Sequence, residues 1–189
     1  MQTDFHKEFP KGGVGKQHPF ILKCFTETIG APGKYDSNPT SVLDYGAGKG
    51  GTAQWLESLY PKIFIEQYDP SFNTPDEWRE IRNRYYDYVY SVDVLEHIAR
   101  PDCVNKDGAL AWINSCTRNY AFLVIDLTPA KKKLPDGTNA HINLQEPDAW
   151  LRDIEIWMRV RHWEIHEEPC KTYGVRKRLC VRAERGKKM

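Results

Sequence analysis

The amino-acid sequence predicts an α/β protein with a doubly wound, mostly parallel β-sheet. In residues 41–56 a short apolar strand ends at Asp44, three glycines follow at alternate positions, and an apolar pattern of helical spacing begins. Residues 120–127 read YAFLVIDL, a nearly continuous apolar run that is typical of a parallel strand buried on both faces. Helical patterns alternate with such strands, which is the order expected of βαβ units.

Composition limits the class of protein. The 189 residues are 40% apolar with a formal net charge of +1, which predicts one globular domain, residues 1–189, without a broadly polyanion-binding surface. The sequence shows no apolar run near the length of a membrane span and no signal-peptide segment at its N-terminus. Five cysteines without C-x-x-C spacing predict neither a disulfide framework nor a zinc site. A cytoplasmic protein without a membrane partner is therefore expected, and its oligomeric state is not predicted.

The glycine-rich turn between the first strand and its helix is the clearest candidate ligand site. Gly46, Gly48 and Gly50 permit a tight turn and a close approach of a ligand to the backbone. The following helix directs unsatisfied N–H groups at the turn, which favours a polar or anionic group there. The spacing is G-x-G-x-G and not the G-x-G-x-x-G of dinucleotide enzymes, so a nicotinamide-dependent oxidoreductase is disfavoured.

This turn resembles motif I of the class I S-adenosylmethionine-dependent methyltransferases, roughly (V/L)-L-D-x-G-x-G-x-G. Every fixed position is matched, by Leu43, Asp44, Gly46, Gly48 and Gly50. The resemblance implies S-adenosylmethionine as cofactor, with Gly46 and Gly48 beside its methionyl part and Asp44 fixing the loop. Tyr45 and Ala47, which lie between these positions, are included in the predicted cofactor site. A loop for another nucleotide, or a purely structural turn, is the alternative.

A second strand is predicted over residues 62–69 and ends at Asp69. A carboxylate at the tip of the second strand of such a sheet accepts hydrogen bonds from a ribose diol. The resemblance gives this role to Asp69 with the adenosyl ribose, and Pro70 adjoins it. A helix over residues 74–85 leads almost directly into the next strand. The extra edge strand that most members of the family have at this point is therefore predicted to be missing or vestigial.

Residues 87–98 resemble the family's fourth strand and the turn after it, through Asp87, Val89, Leu95 and His97. Val92 and Asp93 are assigned to the cofactor site on this basis. Asp93, Glu96 and His97 have i, i+3, i+4 spacing, so one helical turn would place them on one face.

Three interpretations of this trio are open. Asp93 lines the cofactor or substrate pocket with His97 as a general base; or the trio holds a divalent ion, resembling the E-x-x-E-H motif of metal-dependent O-methyltransferases; or Glu96 and His97 make only local hydrogen bonds. The first is preferred, and no metal is assigned.

Residues 128–150 are predicted to form a long loop, since they are rich in Pro, Gly, Asp and Asn. A long loop that leaves the carboxyl end of a strand is usually functional. His141 is its best candidate for a catalytic base, because histidine titrates near neutral pH. The alternative is an exposed loop histidine. The lysines at 131–133 could neutralise an acidic substrate or could simply be solvated.

The two ends of the chain carry weaker signals. GGVGKQ in residues 12–17 lacks the first glycine, the hydroxyl residue and the preceding strand of a P-loop. Residues 1–18 are interpreted as a mobile arm that contacts the cofactor through Lys16 and His18, or as a solvated extension. Strands over 162–169 and 175–184 predict an antiparallel hairpin at the C-terminus. The basic segment RKRLCVRAERGKKM, residues 176–189, is interpreted as a tail on an edge strand, and nucleic-acid binding is the weaker reading.

The predicted function is methyl transfer from S-adenosylmethionine, with His97 and His141 as candidate catalytic residues. The chain lacks the [DNS]-P-P-[YFW] motif of amino-group DNA methyltransferases and a Pro-Cys after the fourth strand, which disfavours DNA as acceptor. A small-molecule acceptor is slightly preferred over RNA. The alternative from another class is a non-catalytic S-adenosylmethionine-binding module that acts through a protein or nucleic-acid partner.

Overall fold

A computed structural model describes residues 17–32 and 40–186. Six strands form one sheet: β1 Thr40–Tyr45, β2 Ile63–Tyr68, β3 Tyr86–Val92, β4 Thr117–Asp126, β5 Met158–Cys170 and β6 Gly174–Arg185. The helices are α1 Pro19–Ile29, α2 Gly51–Leu59, α3 Pro75–Arg82, α4 Arg100–Val104, α5 Ala109–Cys116 and α6 Pro147–Glu155, with a 3₁₀ turn over Leu95–His97. None of these helices, within the two described ranges, has the length and apolar character needed to cross a bilayer.

The sheet has the order β2-β1-β3-β4-β6-β5. Strands β1 to β4 are parallel, whereas β6 is antiparallel to both β4 and β5. This arrangement confirms the predicted doubly wound, mostly parallel sheet with a C-terminal antiparallel hairpin. No strand pairs with the outer edge of β2 in the part of the chain that the structure describes. The predicted loss of the third edge strand is therefore confirmed.

Two apolar layers bury the faces of this sheet. On one face, α1 and α2 contribute Phe25 and Leu56 to a core that contains Phe122 of β4. On the other face, α3, α5 and α6 pack on a core that includes Leu123 and the fully buried Trp150. Because alternate side chains of a strand point to opposite faces, β4 serves both cores, as its apolar run predicts.

Local boundaries differ from the sequence prediction where sheet pairing competes with helix propensity. Helix α5 ends at Cys116, because Thr117 already pairs with Tyr86 in the sheet. The short α4 was not predicted, and both strands of the C-terminal hairpin are longer than predicted. The cap of α3 is as expected, since Thr74 and Glu77 form a reciprocal capping box.

A buried ion pair joins the C-terminal hairpin to the end of β3. The guanidinium of Arg178, on β6, donates to both carboxylate oxygens of Asp93 over 2.7 and 3.1 Å, and its side chain is only 1% exposed. Glu168 on β5 lies 2.6 Å from the same guanidinium. These charges raise the pKa of Arg178 in spite of its burial. The bidentate geometry fixes the position of Asp93 relative to the hairpin.

Replacing Arg178 with methionine is expected to lower the free energy of unfolding by about 3 kcal/mol, because it removes one partner of a largely buried ion pair. The measurement is urea unfolding. Lys177→Met is the matched control, since its ion pair with Glu167 is more than half exposed and should contribute less than about 1 kcal/mol. Equal losses in the two variants would contradict the structural role of Arg178.

Candidate cofactor and acceptor site

The parallel strands bring the predicted site residues to one edge of the sheet. Asp44 and Tyr45 end β1, Asp69 directly follows β2, and Val92 ends β3. Since these strands run in the same direction and are neighbours, their carboxyl ends form a common crevice. The structure therefore places the residues of the glycine turn next to Asp69 and Pro70.

Main-chain hydrogen bonds hold the glycine turn against the end of β2. The amides of Gly46 and Ala47 donate to the carbonyl oxygen of Tyr68 over 2.8 and 2.9 Å. Gly50 is the N-cap of α2 and supplies no capping side chain, so the first amides of this helix face the turn. Such amides suit a polar or anionic ligand group.

Two of the turn's glycines are required by both backbone and space. Gly46 and Gly50 have φ of 82° and 74°, in the left-handed region. A Cβ at Gly46 would lie 2.4 Å from Cγ2 of Val94, and one at Gly50 would lie 2.3 Å from Oε1 of Gln67. Glycine at these two positions therefore lets the side chains of Val94 and Gln67 pack directly against the turn.

Asp69 is tied to the same turn. Its Oδ2 accepts a hydrogen bond from the Gly48 amide and its Oδ1 accepts one from the Ser71 amide, both at 2.9 Å. Its own amide donates to Oδ1 of Asn73 over 2.7 Å. Each carboxylate oxygen has a second lone pair, so an oriented Asp69 can also accept hydrogen bonds from a diol.

Asp44 is a buried carboxyl group with an orphaned oxygen. It is 3% exposed, and its Oδ2 has no hydrogen-bond partner among the described residues. Burial raises its pKa to about 7; the nearby Tyr90 hydroxyl opposes the rise and the charge of Asp69 adds to it. A carboxyl group that is costly to keep beside a ligand turn is typical of a functional site.

The turn after β3 differs from the expected α-turn. Only Leu95–His97 is helical, as a 3₁₀ turn, and Asp93 precedes it with φ of 54°. The Asp93 amide donates to the Val124 carbonyl oxygen over 2.9 Å, so sheet pairing continues one residue past β3. Asp93, Glu96 and His97 are therefore not aligned on one helical face. The Asp93 carboxylate binds Arg178, while Glu96 is fully buried.

His97 and His141 are brought together although 43 residues separate them. Their ring centroids are 4.7 Å apart at an interplanar angle of 82°. Nδ1 of His97 donates to the Ala140 carbonyl oxygen over 2.8 Å, and Nδ1 of His141 donates to that of Thr128 over 2.5 Å. Because a carbonyl oxygen only accepts, Nδ1 carries the proton and the lone pair of each neutral ring is on Nε2.

Burial keeps both rings uncharged. Desolvation and the neighbouring His141 lower the pKa of His97 to about 4, and desolvation lowers the pKa of His141. His141 is 6% exposed, so the alternative of an exposed loop histidine is wrong. The loop folds back on the sheet edge, and the amide of Asn143 donates to the carbonyl oxygen of Glu96 over 3.0 Å.

Sequence reasoning missed three charged residues at this edge. Asp126, at the end of β4, is fully buried and contacts the guanidinium of Arg176, and Arg178 binds Asp93. The two arginines had been included in a basic tail. One available signal was the position of Arg178 two residues before Cys180, on the strand face that is buried.

The remaining residues singled out in the sequence are the lysines at 131–133, Lys16 and His18. Lys131, Lys132 and Lys133 are exposed. Residues 1–16, with Lys16, lie outside the described residues. His18 is 3% exposed, caps α1 by accepting from the Phe20 amide over 3.3 Å, and packs its ring 4.9 Å from that of His166.

Comparisons with known proteins agree with this geometry. A family model for the methyltransferase domain matches residues 21–173. The fold is similar to that of TehB from Haemophilus influenzae, with a TM-score of 0.58, 14% identity and coverage of 98% of this chain and 67% of that chain.

Two further structures are similar to the chain. One is Burkholderia thailandensis 1,6-didemethyltoxoflavin-N1-methyltransferase, with S-adenosylhomocysteine bound (TM-score 0.57, 16% identity, 97% of this chain and 84% of that chain). The other is the 16S rRNA (adenine(1408)-N(1))-methyltransferase of Catenulisporales acidiphilia. Its TM-score is 0.54 at 13% identity, and the match covers 80% of this chain and 87% of that chain. No curated protein matches the chain in sequence.

Because the family model spans most of the chain, the protein belongs to the methyltransferase-domain family. It is an S-adenosylmethionine-dependent methyltransferase with the class I fold. The site fits this cofactor, since it offers a turn of left-handed glycines at the start of a helix and an orphaned carboxyl oxygen on Asp44. A buried acidic group suits a cofactor that carries positive charge.

Replacing Gly46 with alanine is expected to lower the free energy of unfolding by about 2–4 kcal/mol and to weaken cofactor binding at least about tenfold. Left-handed strain contributes about 1–2 kcal/mol, and the collision with Val94 adds an overpacking cost. The measurements are urea unfolding and calorimetric titration with S-adenosylmethionine.

Gly137→Ala is the matched control for this variant. Gly137 has a similar φ of 84°, but a Cβ there meets nothing within 4 Å. In this control variant the free energy of unfolding should fall only by the cost of backbone strain, and the affinity for the cofactor should be unchanged. Equal effects at both positions would mean that the space at Gly46 is unimportant.

Asp44→Asn is expected to stabilise the protein more at pH 8 than at pH 5. The folded-state pKa of Asp44 is raised, so the folded chain keeps a proton that the unfolded chain releases between about pH 4 and pH 7. Stability is lost as the pH rises through this window, and asparagine removes that loss. Urea unfolding at the two pH values tests this, and a pH-independent difference would contradict it.

Proposed function

We propose that the protein methylates a small-molecule acceptor in the crevice between the glycine turn and the His97–His141 pair. The observation that carries this proposal is the pair itself. His141 is buried and His97 is partly buried. Both are neutral, each donates its Nδ1 proton to a main-chain carbonyl, and both lie near the strand ends that line the proposed cofactor site. A base in this position can act on the group that receives the methyl.

The charges of β6 favour a small molecule over RNA. Four basic residues of this strand form ion pairs with acidic residues of the same chain. The pairs are Arg176 with Asp126, Lys177 with Glu167, Arg178 with Asp93 and Arg182 with Glu27. RNA binding needs cationic side chains that are available to phosphates over a broad surface. The similar structures include enzymes named for a toxoflavin precursor and for rRNA, so similarity alone does not decide the acceptor.

Each residue of the proposed site has a role toward the cofactor or the acceptor. When bound, S-adenosylmethionine supplies a methyl group on a sulfonium sulfur. Asp69 binds the ribose diol, the turn through Gly46 and Gly48 receives the methionyl part, and Asp44 supplies negative charge nearby. Tyr45, Ala47, Gly50, Pro70, Val92 and Asp93 form the remaining walls of the proposed cofactor site. Nε2 of His97 or His141 takes the acceptor's proton.

The proposal includes two further points. Residues 1–189 form one domain, and the protein works in the cytoplasm. All five cysteines are free thiols, and four of them are buried. Free buried thiols are usual in a reducing compartment.

The first experiment is calorimetric titration with S-adenosylmethionine and S-adenosylhomocysteine. We expect micromolar binding that Asp69→Ala abolishes and that Asp136→Ala, at an exposed aspartate of the loop, leaves unchanged. Absence of binding to either ligand would overturn the proposed site.

Incubation with methyl-labelled cofactor then separates the acceptor classes. Label is expected in a small-molecule metabolite pool and not in an RNA pool. Label in RNA would overturn the acceptor class. Cofactor binding without label in any pool would favour the non-catalytic binding module.

His97→Asn and His141→Asn are expected to bind S-adenosylhomocysteine within about twofold of the unmodified protein while losing about a hundredfold or more of turnover, the range of a lost acid–base group. His162→Asn is the control, because His162 is a surface residue paired with Glu164 on β5. Full turnover in both variants would exclude the pair from the chemistry.

A further inference from the structure

Glu96 is a fully buried carboxyl group without a hydrogen-bond partner. It is 0% exposed, and neither Oε1 nor Oε2 meets hydrogen-bond geometry with any group that the structure describes. Burial and the charge of Asp93 raise its pKa well above the usual range. A buried polar group in this state is costly, so its presence calls for a ligand that is not part of the chain.

The neighbouring cations do not compensate this group. Arg178 directs its guanidinium at Asp93 and Glu168, and Arg176 directs its own at Asp126. Around Glu96 two guanidinium groups thus already serve three other carboxylates. Glu96 is the acidic group of this cluster that they leave without a partner.

The groups closest to Glu96 offer lone pairs. One ligand atom each of Glu96, His97 and His141 lie within 4.8 Å of one another. Both imidazoles donate Nδ1–H to a main-chain carbonyl, which leaves the lone pair on Nε2. This is the arrangement by which a second-shell carbonyl orients a metal-binding histidine. When Glu96 gives up its proton, as a metal ligand must, the three residues present acceptors to each other and no donor.

We propose that Glu96, His97 and His141 form a binding site for one divalent transition-metal cation, with Zn²⁺ the best match. Two imidazoles and one carboxylate are a ligand set that suits Zn²⁺, and three protein ligands leave a fourth position open. Bonds of about 2 Å need ligands roughly 3–4 Å apart, so the observed cluster requires only a small closure. Asp93 is not in this set, because Arg178 holds its carboxylate.

The metal site extends the proposed function. It rests on that function only because both use the pair His97 and His141. A cation there neutralises Glu96 and ties the loop that carries His141 to the 3₁₀ turn after β3. Of the three residues only His97 is partly exposed, so the cluster reaches solvent on the His97 side. A hydroxyl or amine bound to the cation has a lowered pKa, so the metal-loaded protein activates an acceptor through the cation and not by direct proton transfer to Nε2.

The test is binding of the metal alone to the chelator-treated, dialysed full-length protein. Calorimetric titration with ZnCl₂ is expected to give one site of micromolar or lower dissociation constant, with MgCl₂ at least tenfold weaker. Glu96→Gln and His141→Asn should each weaken Zn²⁺ binding at least tenfold, whereas His162→Asn, at a surface histidine, should leave that site unchanged.

Two further readouts keep the proposal falsifiable where one variant fails to fold. Zn²⁺ should raise the melting temperature of the unmodified protein and not that of either ligand variant, and Co²⁺ should give the visible absorption of a tetrahedral N/O site. Absence of a stoichiometric site, or a site that both ligand variants retain, would overturn the proposal. Neither readout needs cofactor or acceptor, so failure here is distinct from failure of methyl transfer.

Discussion

The bidentate pair between Arg178 and Asp93 is the interaction on which the proposed acceptor half of the site depends. It joins residues 85 positions apart and fixes the carboxyl group of the one non-glycine residue with a left-handed backbone among those described. The 3₁₀ turn with Glu96 and His97 starts two residues later, so its position follows from that of Asp93. An antiparallel hairpin added to a parallel sheet therefore does more than close an edge, because it sets the geometry at the carboxyl end of β3.

The cofactor half of the site is held by a different kind of contact. The glycine turn is fixed by amides that donate to Tyr68 and Asp69, and its conformation depends on the absence of side chains at Gly46 and Gly50. These are short-range interactions between adjacent parallel strands. They place Asp44 and Asp69 beside the N-terminus of α2, which suits a ligand that is cationic at one end and polar at the other.

This difference explains what the sequence could predict. The glycine turn, Asp69 at the tip of β2 and the short interval before β3 are local patterns, so spacing and the family resemblance were enough to predict that Asp69 lies beside the turn and that the edge strand is missing. The partnership of Arg178 with Asp93 and of His97 with His141 joins distant segments, and no periodicity relates them. The helix expected at Asp93 failed for the same reason, since pairing with Val124 of β4 continued the sheet by one residue.

The loop between β4 and α6 supplies much of the proposed acceptor half. It supplies His141, the Ala140 and Thr128 carbonyl oxygens that fix both imidazole tautomers, and the Asn143 amide that bonds to Glu96. Asn139 closes the loop by bonding to both the amide and the carbonyl of Ala130 over 2.9 and 3.0 Å. A loop organised by its own side-chain hydrogen bonds can change length or composition without disturbing the glycine turn. The proposed acceptor half and the glycine turn are therefore specified by separate segments of the chain, so a change in this loop need not alter the turn.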